Sequence, residues 1–248
     1  MSAPPWLTAS PIAHRGLYDA ENPENSLAAF GRAVARGVPF EFDVQVSRDW
    51  QPFVVHDRDL SRVVGRPTAP IAELDASEVR EMRVAVGGLP VPTLEDVLAL
   101  VDGTVPVVVD VRRWGFAADD RLENAVAERI RGYGGEFVLQ SFDPVAVHRL
   151  RARVPDRAVG QVSGSLPSAG AVKRLLGRAM LTNAVTHPDF ITYELGELPS
   201  RAVTFWRGRG RPVIAYSAHS PEDERRAAEL ADNVFFSGYL PDAYREPG

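Results

Sequence analysis

Three observations on this sequence predict an α/β fold, a (β/α)8 TIM barrel with a small insertion after strand 2. Short apolar bursts recur eight times along the chain. Amphipathic stretches separate most of them. Polar residues gather at the C-terminal end of otherwise apolar bursts. The length of 248 residues suits a single domain over residues 1–248, because barrels of this kind reach roughly 250 residues as one unit.

The bursts, read as strands, are Pro11–His14, Phe40–Val46, Val105–Val111, Phe137–Ser141, Ala158–Val162, Phe190–Tyr193, Pro212–Tyr216 and Asn233–Ser237. The amphipathic stretches, read as helices, are Glu24–Arg36, Thr93–Val101, Ala118–Arg131, Pro144–Arg153, Ser168–Ala179 and Pro221–Leu230. Helix starts agree with this order. Asn22-Pro23-Glu24 and Ser220-Pro221-Glu222 each place a cap before a proline, whose missing N–H is harmless in a first turn, and Asp143-Pro144 does the same without the acid. Ser47–Pro92 is too long for a barrel loop. Within it Phe53–Val55 is expected to form a local hairpin and Glu73–Met82 a helix.

Composition narrows the function. A hydrophobic fraction of 45% supplies a large core, and a net charge of −5 leaves no basic footprint for nucleic acid or an anionic membrane surface. Cysteine is absent, which removes disulfide and thiolate chemistry and fits a reducing cytoplasm. Met1–Ser10 has no basic and apolar leader pattern, so no signal peptide is expected. No apolar run approaches the ~18 residues that span a bilayer, so no integral membrane segment is expected. Oligomeric state has no signature in the sequence.

The chemistry gathers on the second strand. In Phe40–Val46, Glu41, Asp43 and Gln45 share one face and Phe40, Phe42, Val44 and Val46 the other. A strand entered from a helix and this rich in Phe and Val belongs to a sheet buried on both sides. Two carboxylates at i and i+2 inside such a sheet repel unless a cation lies between them, so Glu41 and Asp43 read as metal ligands. Asp110 and Arg112 repeat the spacing on the third strand. They read either as a buried ion pair, costly to desolvate, or as a third oxygen ligand, Asp110, and a clamp on phosphate, Arg112. Carboxylates without a His or Cys cluster favour a hard divalent cation, Mg²⁺ or Ca²⁺, over zinc. At the tip of the first strand stand His14, Arg15 and Gly16. The planar fork of arginine suits phosphate, and glycine lets the backbone turn sharply. His56-Asp57 brings a second imidazole, and two imidazoles at one site suit proton transfer near neutral pH. Asp57 itself reads as a cap on the next turn.

These residues also carry a resemblance. His14-Arg15-Gly16, Pro23 to Phe30, Glu41-Phe42-Asp43-Val44 and Val55 to Arg62 occur in order and resemble the glycerophosphodiester phosphodiesterase family. The likeness is dense over residues 12–62 and colinear beyond, through Pro92–Glu95, Gln140–Pro144 and Phe235–Pro241. The resemblance implies a TIM barrel, a divalent metal and two catalytic histidines. Position by position, His14 and His56 match the acid–base pair, Glu41 and Asp43 the first metal ligands, and Arg15 a phosphate-binding arginine. Glu24 and Asn25 are expected to brace the His14 loop. Departures are Asp110-Val111-Arg112 for the usual Glu-x-Lys, Tyr216-Ser217 for Trp-Thr, and Ser237 for an acidic residue.

The expected activity is metal-dependent hydrolysis of a small-molecule glycerophosphodiester to an alcohol and glycerol phosphate. Gln161, Tyr193, Tyr216, His219 and Tyr239 are expected to select the alcohol, tyrosines offering apolar faces with polar tips. One rival is a phospholipase-D-like lysolipid phosphodiesterase that forms a cyclic phosphate. Another is a non-catalytic phosphate-binding barrel.

Overall fold

The computed structural model describes residues 2–114, 119–165, 175 and 177–245. Contacts divide the chain into two compact units, Ala13–Phe137 and Val138–Gly248 with Met1–Ile12. The expected helix Ser168–Ala179 falls largely outside the described residues.

In the unit Ala13–Phe137 the sheet is built on β2 (Phe40–Val46), buried along its whole length. β1 (Ile12–Ala13) joins it in parallel through Ala13 and Phe40. β4 (Val107–Val111) runs parallel on the other side, with Asp43 opposite Asp110. The outward residues Phe40 and Phe42 meet Phe30 of α1 (Leu27–Ala35), Phe30 and Phe40 stacking at 4.7 Å between centroids. Each such ring removed from water contributes roughly 1.5–3 kcal/mol, which fixes the pleat and turns Glu41 and Asp43 the opposite way.

α1 begins at Leu27, later than the Asn22-Pro23-Glu24 signal predicts. Its cap is Ser26, whose hydroxyl accepts the Ala29 N–H at 3.2 Å. The reason lies one residue earlier. Asn25 adopts φ +54 and its N–H donates to the Arg15 carbonyl, so the chain here serves the β1 loop before it can enter a helix.

The insertion after β2 opens with the expected hairpin. β3 (Pro52–Val54) pairs antiparallel with β2, Val44 opposite Val54. α2 (Ser61–Val64) and α3 (Ala76–Glu81) follow, around a small core that includes Phe53, Leu60, Ile71 and Val79. α3 is shorter than predicted because Asp75 and Glu78 form a capping box that starts it at Ala76. α4 (Leu94–Val101) has a Thr93–Asp96 capping box, and α5 (Arg121–Ile130) completes this unit.

The second unit repeats strand and helix in order: β5 (Phe137–Ser141), α6 (Pro144–Arg153), β6 (Val159–Ser163), α7 (Asn183–Thr186), β7 (Ile191–Glu194), α8 (Arg201–Arg207), β8 (Val213–Ala218), α9 (Pro221–Leu230) and β9 (Asn233–Phe236). Neighbouring strands from β5 to β9 are all parallel. Asp143 and Ser220 cap α6 and α9 ahead of a first-turn proline, as their sequences predict. With β3 set aside, eight parallel strands alternate with helices along the chain, the (β/α)8 class. Among the described residues no helix is long and apolar enough to cross a membrane.

Candidate active site

The alternation of β2 and its register with β4 bring three carboxylates together. Glu41, Asp43 and Asp110 are buried, and each offers an oxygen within 4.8 Å of the others'. The loop after β1 closes over them. Arg15, at φ +58, donates its backbone N–H to Glu41 Oε2 at 3.0 Å. Its guanidinium places Nε 3.3 Å from Asp43 Oδ2 and donates from NH1 to Glu24 Oε1 at 2.8 Å. Gly16 makes this turn possible. Its φ is +82, and a Cβ there would stand 2.8 Å from Phe30 Cδ1. His14 Nε2 lies 3.9 Å from Glu41 Oε2. Asn25 donates from Nδ2 to Asp43 Oδ2 at 2.9 Å and accepts the Asp43 N–H at 3.3 Å, so it braces loop and strand together. Arg112, one residue past β4, brings NH1 to 3.6 Å from Asp43 Oδ1.

His56 follows β3, its Nδ1 2.8 Å from Asp57 Oδ1. Asp57 accepts from Arg62 Nε at 2.6 Å, and Arg62 NH2 donates to Glu24 Oε1 at 2.7 Å. A chain of alternating charges therefore runs from the His56–Asp57 pair through Arg62 and Glu24 to Arg15 and Asp43. Asp57 thus does more than the turn-capping its sequence suggests. The Arg62–Glu24 tie has no local mark in the sequence, because the two residues are 38 positions apart.

The electrostatics separate the carboxylates. Burial, then the charges of Asp43 and Asp110, push Glu41 well above the usual carboxylate range. Burial presses Asp43 the same way, yet Arg15 and Arg112, helped by His56 and Asn25, hold it down to about 2. His56 is lowered from the ordinary imidazole value, first by burial, then by the cationic Arg112 and Arg15 against the opposing pull of Asp43.

The residues expected to select the alcohol lie in the other unit. Gln161 is buried and donates from Nε2 to the carbonyls of Ser141, Phe142 and Val162, each at 3.1 Å. Tyr193 belongs to the hydrophobic core of that unit, and its hydroxyl donates to the Arg178 carbonyl at 3.3 Å. Both side chains bond backbone carbonyls of their own unit. Tyr216 is partly buried, edge-on to Phe142 at 6.1 Å between centroids. His219 is exposed, with Nδ1 3.0 Å from Ser237 Oγ. Tyr239 donates to Glu224 Oε2 at 3.0 Å. A separate cavity of about 160 Å³ lies beside Arg112 in the first unit, walled in part by Trp50, Ile71 and Trp114.

Carboxylates that repel one another, set beside arginines, make sense where a cation and an anion are held side by side. The class so defined is the (β/α)8 barrels with a buried acidic cluster that could hold a metal ion. Comparison with known proteins names the branch. The Glycerophosphoryl diester phosphodiesterase family matches residues 14–235, and the chain belongs to that family. It is an enzyme, a hydrolase of phosphoric diesters. Glycerophosphodiester phosphodiesterase GDPD4 of Arabidopsis thaliana is 26% identical over 97% of this chain and 76% of its own length. Probable glycerophosphodiester phosphodiesterase 2 of Mycobacterium tuberculosis is 28% identical over 85% of this chain and 80% of its own. Among solved structures, a phosphodiesterase from Oleispira antarctica in complex with the product sn-glycerol-3-phosphate superposes with a TM-score of 0.75 at 21% identity, covering 92% of each chain. A putative glycerophosphoryl diester phosphodiesterase from Silicibacter pomeroyi gives a TM-score of 0.75 at 23% identity, over 95% of this chain and 91% of its own. These structural likenesses establish the (β/α)8 fold.

Proposed function

We propose that this chain hydrolyses glycerophosphodiesters to glycerol phosphate and an alcohol, with a divalent cation, Mg²⁺ or Ca²⁺, held by Glu41, Asp43 and Asp110. The observation that carries this is the cluster itself: three buried carboxylates with oxygens within 4.8 Å. Oxygens around a hard cation at about 2.0–2.6 Å stand at such separations, and the all-oxygen donor set suits Mg²⁺ or Ca²⁺. Burial first, then the charges of Asp43 and Asp110, raise the affinity of Glu41 for a proton against the opposing pull of Arg15.

When bound, the cation supplies neutralisation of a phosphate oxygen and polarisation of phosphorus. The chain supplies the rest. Arg15 and Arg112 flank Asp43 and stabilise charge that builds on the phosphate oxygens. Asp57 accepts Nδ1–H of His56 and so leaves Nε2 free to accept a proton. A lowered affinity keeps that imidazole neutral at neutral pH, which suits the base that deprotonates the attacking oxygen. His14, beside Glu41, delivers a proton to the departing alkoxide as its P–O bond breaks.

The test is turnover of glycerophosphocholine followed by ³¹P NMR. Chelated protein is expected to be inactive and to recover with Mg²⁺ or Ca²⁺. His14→Ala and His56→Ala are each expected to lose about 10²–10⁴-fold in rate. Rates of either variant within a few-fold of the parent would remove that histidine from the chemistry. A cyclic phosphate as the final product would favour the phospholipase-D-like reading.

A further inference from the structure

We propose that Gln45 is a positioning residue for this reaction, holding the backbone that carries His56 and Asp57 against the strand that carries Glu41 and Asp43. The proposal rests on the reading of His56 as the general base. Gln45 lies two residues beyond Asp43 on β2 and shares its face of the pleat. It is 2% exposed. Its Nε2 donates to the carbonyls of Val55 at 2.9 Å, His56 at 3.1 Å and Asp57 at 2.6 Å. Two N–H bonds thus serve three successive acceptors, one of them shared. The amide orientation follows from those acceptors, since the reverse placement would set an oxygen against three carbonyl oxygens. Gln45 Oε1 is buried with no hydrogen-bond partner among the described residues, so the side chain is placed for its donor end.

The location explains why such a tie is needed. The β2–β3 ladder ends at Val54, and the last backbone bond to β2 is Val55 N–H to the Asp43 carbonyl at 3.0 Å. Beyond it the chain leaves the sheet while carrying both members of the His56–Asp57 pair. Gln45 extends the grip of β2 by these residues through a side chain. One strand face therefore fixes the carboxylates and the base relative to one another. A misplacement of about 1 Å at a reacting group can cost roughly 10²-fold in rate, so a tie of this kind has a kinetic signature.

The experiment uses the full chain with Gln45→Met, which keeps the volume and removes the donors, and Gln45→Asn, which keeps the amide on a shorter arm. Rates are read on glycerophosphocholine and on bis(p-nitrophenyl) phosphate, whose activated leaving group keeps weak variants measurable. Gln45→Met is expected to lower kcat about 10²-fold with KM within about threefold, Gln45→Asn less, and calorimetric Mg²⁺ affinity is expected to stay within about twofold. The same substitution made in His56→Ala is expected to cost nothing further, because a residue acting only through His56 has nothing left to position. Faster amide hydrogen exchange confined to the segment after Val55 completes the expected pattern. A kcat within a few-fold of the parent overturns the proposal, and so does a full loss that persists in His56→Ala. A parallel fall in Mg²⁺ affinity would also overturn it, assigning Gln45 to the carboxylate face instead. If His56→Ala alone is fully active, the reading of His56 fails and is seen to fail separately.

Discussion

Glu41 sits in a field that works against its own charge. Its affinity for a proton is raised in the folded state, so its contribution to stability is full below the ordinary glutamate range and is lost as pH rises through the raised value. Glu41→Gln removes the repulsion and keeps the shape. We expect the metal-free variant to melt above the parent at pH 7–8, with a gain that grows with pH, each kcal/mol being worth roughly 2–4 °C in a chain of this size. The variant should also lose Mg²⁺-dependent turnover. Thermal melts across pH check the first part, and an unchanged Tm would contradict it. The same field predicts proton release when Mg²⁺ binds the parent, most at the lower end of the pH range. Calorimetric enthalpies that do not vary among buffers of different ionisation heat would contradict this. For His56 the sign is opposite. Burial lowers its affinity for a proton first, and the positive charges of Arg112 and Arg15 lower it further. Arg112→Gln should therefore move the acidic limb of the kcat/KM profile to higher pH, and a limb that moves down or stays would sink that assignment. The carboxylate pair is legible in the sequence because a pleat is local: i, i+2 spacing puts Glu41 and Asp43 on one face whatever surrounds them. Gln161 is not legible in that way. A buried glutamine at a strand end looks the same in sequence whether it faces substrate or ties carbonyls.

At the scale of elements, the strand bursts are readable because strands buried on both faces need unbroken apolar character. α8 is not readable in this way. Arg201–Arg207 is short, buries only Val203 and leaves Phe205 exposed, so no clean apolar stripe marks it. The start of α1 departs from its cap signal because Asn25 answers to Arg15 and Asp43, partners set by the folded loop. That loop yields a prediction about Gly16. Alanine there must adopt φ near +82 and bring its Cβ to 2.8 Å from Phe30 Cδ1 and 3.1 Å from the Ala29 carbonyl carbon. Left-handed backbone costs a non-glycine residue roughly 1–2 kcal/mol before any clash. Gly16→Ala should lower Tm by at least about 2 °C and reduce turnover by shifting His14 and Arg15. A melt and a rate matching the parent's would show that the turn is not tightly held.

At the scale of the whole molecule, the groups proposed for proton transfer, phosphate and metal all come from Ala13–Phe137, and Tyr216, His219 and Tyr239 come from the remainder. We expect Tyr216→Ala and Tyr239→Ala to change relative kcat/KM among glycerophosphocholine, glycerophosphoethanolamine and a lysophospholipid, with the rate on an activated aryl diester changing least. Trp114→Ala provides the contrast through the cavity beside Arg112. If all four substrates fall together in the tyrosine variants, those residues do not select. The short reach of the proposed chemistry along the chain, His14 to Arg112, has a consequence for descent. A lineage can vary the loops of the latter half of such a gene while keeping the five strands the sheet needs there, so that copies of one ancestor come to differ in diet before they differ in trade.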